Sequence, residues 1–183
     1  MSHLCVLDEA AKNKFRRILI CEDDLNFVYD FNSRIDQVLA QLSRIDWALF
    51  YGGYRLYDGF GLQNARKDDR CIIAMPATQT IGTAHFLAFQ GQSIASAGRY
   101  LKEMVARSPG DLRGGPMHVD GAYSWFRKDN PQFTTVIATP ELGYQRPSRS
   151  DISQLAWYDR LPIISTSIKY SRIFRSRIQR FYK

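Results

Sequence analysis

The chain has 183 residues, 45% hydrophobic, 13% aromatic and 23% charged, which excludes disorder and low-complexity architectures. Its formal charge of +7 is not spread evenly: residues 1–159 carry 18 basic and 18 acidic side chains, whereas residues 160–183 carry 7 basic ones and no acidic one. A neutral body with a basic tail argues against a protein that binds nucleic acid over its whole surface. No apolar stretch approaches the ~18 residues of a membrane span. The start, Met1-Ser2-His3-Leu4-Cys5, runs into Asp8 and Glu9 and shows no secretory signal. Cys5, Cys21 and Cys71 are odd in number and set among apolar neighbours, so they are expected as buried reduced thiols of a cytosolic protein.

In chain order, Leu4, Leu7, Ala11 and Phe15 recur at helical steps and predict a helix over 3–15. Arg17 to Cys21 is a short apolar run expected as a strand buried on both faces, stopping at Glu22-Asp23-Asp24. Phe31, Ile35, Val38, Leu39 and Leu42 make one stripe of a helix over 31–43. Trp47 to Tyr51 reads as a strand ended by Gly52-Gly53, and the polar stretch 54–70 as a loop. Strands follow at 71–75 and 83–89. A helix over 91–107 carries Ile94, Ala97, Leu101, Met104 and Val105 on one side and stops at Ser108-Pro109-Gly110. After the connector 111–116 come a short helix over 119–128 and a strand over 134–138. Strands alternating with helices give an α/β fold.

Glu22-Asp23-Asp24 is the sharpest chemical feature. Three adjacent carboxylates repel, and a divalent cation such as Mg²⁺ or Mn²⁺ removes the conflict. In an extended segment Glu22 and Asp24 point together. The structural alternative is that Asp23 or Asp24 caps the next helix. His118-Val119-Asp120 places an imidazole and a carboxylate side by side. Asp120 is either a general base or a helix N-terminal residue favoured by the dipole, and His118 could add a metal ligand. His85, inside a strand, reads first as a satisfied core or edge histidine, and His3 is uninformative alone. Gly82-Thr83 and Gly52-Gly53 could let backbone approach a ligand. Tyr51, Tyr54, Tyr57, Trp125 and Trp157 suit either sugar stacking or packing. GxxxxGK[ST], GxGxxG and GxSxG are absent, which leaves nucleotidase, dinucleotide oxidoreductase and serine hydrolase readings unsupported.

Taken in order, several segments resemble glycosyltransferase family 25, the lipopolysaccharide glycosyltransferases related to collagen galactosyltransferases. They are Ser2-His3-Leu4, Ile18 to Asp24, Gly82-Thr83-Ala84-His85, Val119-Asp120, Pro140, Leu142, Gln145 and Ser150-Asp151-Ile152, spanning about residues 2–155. The resemblance implies a GT-A-like mixed sheet flanked by helices over residues 1–159; residues 160–183, a basic amphipathic helix by their own pattern, lie outside it. It implies transfer of a hexose from a nucleotide-diphosphate sugar, a UDP-sugar by expectation, to a glycan or lipid-linked glycan acceptor. Glu22 and Asp24, with His118, would hold Mn²⁺ or Mg²⁺, and Asp120 would be the catalytic base. Gly82, Thr83, His85, Gln145 and Arg149 would contact the donor, with Arg146 or Arg149 on phosphate.

The family carries further strands and helices ahead of its Ser-His segment. The expectation is therefore either an N-terminally truncated domain, or a domain completed by another chain, or a non-catalytic remnant or interaction module of the same fold. From Tyr170 the tail projects Ile173, Phe174, Ile178, Phe181 and Tyr182 to one side and most of its cations to the other. That profile fits a helix docked on the domain or lying on an anionic membrane. The expected location is cytoplasmic, peripheral at the inner membrane surface. Nucleic-acid binding rests on the tail alone and is not expected.

Overall fold

The computed structural model describes residues 2–57 and 70–146 of the chain. The chain divides after Gln145, and every described helix and strand lies in the first unit, Met1–Gln145. Arg149, the Ser150-Asp151-Ile152 run, most of the polar stretch expected as a loop and the basic tail lie outside the described residues.

Four helices, α1 (Ser2–Lys12), α2 (Phe31–Leu42), α3 (Gln92–Ala106) and α4 (Val119–Asp129), accompany seven strands. These are β1 (Arg17–Cys21), β2 (Leu25–Phe27), β3 (Leu49–Leu56), β4 (Ile72–Met75), β5 (Ile81–Gln90), β6 (Thr135–Ala138) and β7 (Gly143–Gln145). Five strands form one sheet in the order β1-β5-β3-β6-β4, and β2 pairs with β7 in a separate antiparallel ribbon. The sheet is mixed: β3 and β6 run parallel, and the other three pairings are antiparallel.

Alternate residues of the central strands feed two cores, which is why those strands read as unbroken apolar runs. On one face Leu49, Tyr51, Leu87, Phe89 and Ile137 pack with Leu7 and Ala10 of α1, Ile94, Ala97, Leu101 and Met104 of α3, and Tyr123 and Phe126 of α4. On the other, Phe50, Phe86, Ala88, Val136 and Ala138 meet Val38 and Leu42 of α2, together with Trp47, Ile72 and Leu142. A mixed sheet flanked by helices is therefore the architecture.

Several sequence expectations need correction. β1 is not buried on both faces: it is the sheet's edge, and Leu19 at its centre is 58% exposed. Gly52-Gly53 does not end β3, which continues to Leu56 through two register irregularities against β5. Helix α1 stops at Lys12, and Phe15, Leu39 and Val105 are exposed rather than part of their helices' buried stripes. Cys5 and Cys21 are exposed and Cys71 half-buried, so none is a core thiol. Tyr51 and Tyr54 belong to the core, with the Tyr54 hydroxyl donating to the Ala138 carbonyl. The three-residue strands β2 and β7 have no counterpart among the elements expected from sequence.

Candidate functional site

The site is built at the carboxyl end of β1. The β1–β5 ladder continues one residue past the strand, because the Glu22 amide donates to the His85 carbonyl at 3.0 Å. The chain then turns, with the Leu25 amide donating back to the Glu22 carbonyl. Glu22 and Asp24 are therefore not brought together by strand alternation, as expected of an extended segment; Asp23 and Asp24 occupy a turn. Each carboxylate has its own clamp. Glu22 Oε1 lies 3.1 Å from His3 Nε2, and His3 Nδ1 lies 3.1 Å from the Tyr123 hydroxyl. An ionised carboxylate can only accept, so His3 Nε2 donates to Glu22. Asp24 Oδ2 accepts from Gln145 Nε2 at 2.8 Å, a contact set by the Leu25–Gln145 register of the β2–β7 ribbon.

Across from these carboxylates β5 is strained. Thr83 has φ of +66°, a conformation that a β-branched residue adopts at a cost of roughly 1–3 kcal/mol. The irregular stretch of β3 lies opposite the same part of β5, and such bulges recur where a sheet re-aims side chains. The Thr83 amide points to Asp120 Oδ2 at 3.4 Å, and Asp120 Oδ1 accepts from its neighbour's amide, Gly121, at 2.8 Å. Asp120 also lies in the first turn of α4, where the helix dipole favours it. The helix-terminal role and a place beside the site thus coincide in one residue.

Five side-chain atoms here are buried without a hydrogen-bond partner: Asp24 Oδ1, Tyr51 OH, Thr83 Oγ1 and both ring nitrogens of His85. The reading of His85 as a satisfied core histidine is corrected on this point. Burial holds its pKa below the usual histidine value; the Gly143 carbonyl, which faces the ring without ordinary hydrogen-bond geometry, and the Asp24 and Glu22 carboxylates pull the other way. Burial pushes Tyr51 up to about 12, opposed by Arg127 and reinforced by Asp120. Tyr123 is raised as well, by burial first and then by Tyr51 and Glu22.

The glycines serve packing at close quarters. A Cβ on Gly53 would fall 2.3 Å from His85 Nε2, and one on Gly82 would fall 2.4 Å from the Tyr57 ring. Both spaces are filled by the protein's own side chains. His118 is exposed at the N-cap of α4, and among the described residues no hydrogen bond or ion pair joins it to Glu22 or Asp24. Sequence reasoning gave no role to Tyr123, and did not foresee His3 or Tyr51 beside Glu22 and Asp120. Their spacing carries no signal, since each reaches the site from a different element.

A cleft of about 340 Å³ opens beside Glu22, lined by Ser2, His3, Val6, Ile20, Cys21 and Asp23. A larger depression, about 850 Å³, lies at the opposite end of β1, around Arg16, Trp47 and Gln90, away from the carboxylates. Among the described residues no three His, Cys, Asp or Glu side chains form a ready metal cage. Carboxylate oxygens are hard-cation ligands, and Asp24 Oδ1 is buried without a hydrogen-bond partner. No helix among the described residues is long and apolar enough to cross a membrane. Neither the protein-family models nor the curated proteins yield a match to this chain.

Proposed function

We propose that this chain is a metal-dependent glycosyltransferase of the family 25 type, moving a hexose from a nucleotide-diphosphate sugar to a lipopolysaccharide-type glycan acceptor. One observation carries the reading. Glu22, Asp24, Thr83, His85, Asp120 and Gln145, taken from separate stretches of sequence, are linked around one end of the β1–β5 pair. Bound at Glu22 and Asp24, Mn²⁺ or Mg²⁺ would supply Lewis-acid neutralisation of the departing diphosphate. The protein's own part is positioning. His3 holds Glu22, Gln145 holds Asp24, and two backbone amides orient Asp120 to accept the acceptor hydroxyl's proton as general base. The reading carries with it a cytoplasmic enzyme held at the inner membrane surface through residues 160–183.

Calorimetric titration of Mn²⁺ with UDP into the wild-type chain and into Glu22→Ala/Asp24→Ala tests it. Binding by the wild type, lost in the variant, is expected. Gln145→Ala, which frees Asp24, should weaken binding about 10- to 100-fold, as outer-shell partners of metal ligands do. Identical binding by all three proteins would overturn the metal assignment.

One observation favours a second reading, a non-catalytic module of the same fold. Both carboxylates already have protein partners, and the described residues hold no third ligand in a cage. The same titration separates the two readings, because a folded wild-type chain that binds neither Mn²⁺ nor UDP is the module.

A further inference from the structure

Among the described residues the outer side of β1 is an open edge. Its pairing with β5 is fixed at both ends by the Gly91 amide on the Arg16 carbonyl and the Glu22 amide on the His85 carbonyl. Residues 16, 18, 20 and 22 therefore exchange hydrogen bonds with β5. In an antiparallel ladder the residues between them, Arg17, Leu19 and Cys21, aim both backbone groups away from the sheet. Among the described residues no strand pairs on that side. Natural edges are blunted by shortness, charged side chains, proline, bulges or a covering element, and of these β1 has a five-residue length and Arg17. β1 has an unbroken register, no proline, and a half-exposed leucine at its middle.

We infer that β1 is a self-association surface, pairing antiparallel with β1 of a second copy about a two-fold axis through Leu19. The edge is complementary to itself in this register and in no neighbouring one. Leu19 meets Leu19 of the second copy, and Arg17 meets its Cys21, so every outward-facing backbone group finds a partner. Each opposed pair exchanges two hydrogen bonds. Arg16 falls directly opposite Glu22 of the second copy, on the same face of the sheet, and symmetry repeats the pair. A shift of two residues strands one outward pair and separates Arg16 from Glu22. Parallel pairing would set the basic Arg16-Arg17 end beside its own like charges and the Glu22-Asp23-Asp24 end beside its own. An isologous contact of this kind closes as a dimer and covers the exposed Leu19 side chains with each other. It also brings a guanidinium from one copy to the acidic end of the other's β1. On the function proposed above, that cation would lie beside the diphosphate; the strand pairing itself does not depend on that function.

Sedimentation velocity of the full chain from about 1 to about 300 μM covers the range in which contacts at the small end of interface sizes are populated. A concentration-dependent dimer is expected for the wild type. Leu19→Lys, which sets two ammonium groups across the axis, should abolish it. Arg16→Glu should weaken it at least tenfold, and Arg16→Glu/Glu22→Arg should restore it. With Cys5, Cys21 and Cys71 replaced by serine, Leu19→Cys should oxidise to a covalent dimer. The Cα separation of about 5.5 Å in such a pair lies within disulfide range. Circular dichroism confirms that each variant is folded. A wild type that stays monomeric throughout, or a dimer that survives Leu19→Lys, would overturn the inference. Both readouts are independent of Mn²⁺ and UDP, so failure of the dimer and failure of the proposed activity are separable.

Discussion

Replacing Gly53 with alanine adds one methyl group where three segments meet. The new Cβ would lie 2.3 Å from His85 Nε2 and 2.6 Å from the Gly143 carbonyl oxygen. Both are far inside van der Waals contact, and neither neighbour yields easily. His85 is only 2% exposed, so its ring has no solvent to swing into. Gly143 is pinned in β7 by its pairing with Phe27, and a Cβ on it would fall 2.6 Å from Leu25 Cδ1. Overpacking of this kind costs about 1–3 kcal/mol. For a unit of this size that corresponds to a fall in Tm of roughly 3–10 °C, read by differential scanning calorimetry. His85→Ala in the Gly53→Ala background removes the nearer of the two clashes. The pair should therefore be coupled by about 0.5–3 kcal/mol rather than additive. A Gly53→Ala protein melting within about 1 °C of wild type, or a strictly additive double variant, would refute the packing of His85 against Gly53.

Tyr51→Phe deletes a hydroxyl that is buried without a partner, so stability in urea at pH 8 should be unchanged or raised by about 1 kcal/mol. Because folding lifts Tyr51 from 10 to about 12, the unfolded chain ionises first; stability should fall as pH rises from 10 towards 12, and less steeply in Tyr51→Phe. Arg127 is fully buried and donates to the Thr135 hydroxyl and to the Gln79 and Pro76 carbonyls. Arg127→Met should lower stability by roughly 2–4 kcal/mol, and Arg127→Lys should not rescue it, since one ammonium cannot serve three acceptors held by a planar fork. Hydrogen exchange of the 76–80 turn would show the loss locally. Asp111 is held at about 2 by hydrogen bonds from Arg113, so its carboxyl NMR titration should shift back towards 3.8 in Arg113→Ala. Any stability linked to Asp111 is present above pH 3.8 and lost as pH falls towards 2.

Helices and central strands were legible because their patterns are long. The stripe Ile94, Ala97, Leu101 and Met104 places α3 to within a residue or two, and all four side chains are buried. What an apolar run does not disclose is its position in a sheet. Ile18-Leu19-Ile20 reads like the core of a central strand, yet among the described residues β1 has a neighbouring strand on one side only. Gly52-Gly53 reads as a stop, yet the pair lets β3 continue. A Cβ on Gly52 would strike the Phe86 ring, and one on Gly53 the His85 ring, so glycine here records close approach within the sheet. β2 and β7 are three residues each, too short for any period to show, and exist because Leu25 and Phe27 find Gln145 and Gly143 far along the chain.

The acidic run of the candidate site was legible in the sequence, and its geometry was not. Glu22-Asp23-Asp24 announces concentrated charge, but the strand rule that would align Glu22 with Asp24 lapses where the chain turns. Their separate orientation comes instead from His3 on α1 and Gln145 on β7, contacts that no local pattern encodes. The same holds for the polar atoms left without partners. Burying such a group costs about 1–3 kcal/mol, and a threonine at positive φ adds a comparable cost. Packing concentrates these costs at the end of the β1–β5 pair that also holds the carboxylates: Thr83 and His85 on β5, Asp24 in the turn after β1, and Tyr51 on β3, within the field of Asp120. Sequences remove such conflicts readily where only stability is at stake: glycine at position 83 would relieve the positive φ, and phenylalanine for Tyr51 would remove its unpaired hydroxyl. The concentration of three of them, on Thr83, His85 and Asp24, near Glu22 makes this end of the sheet the candidate site.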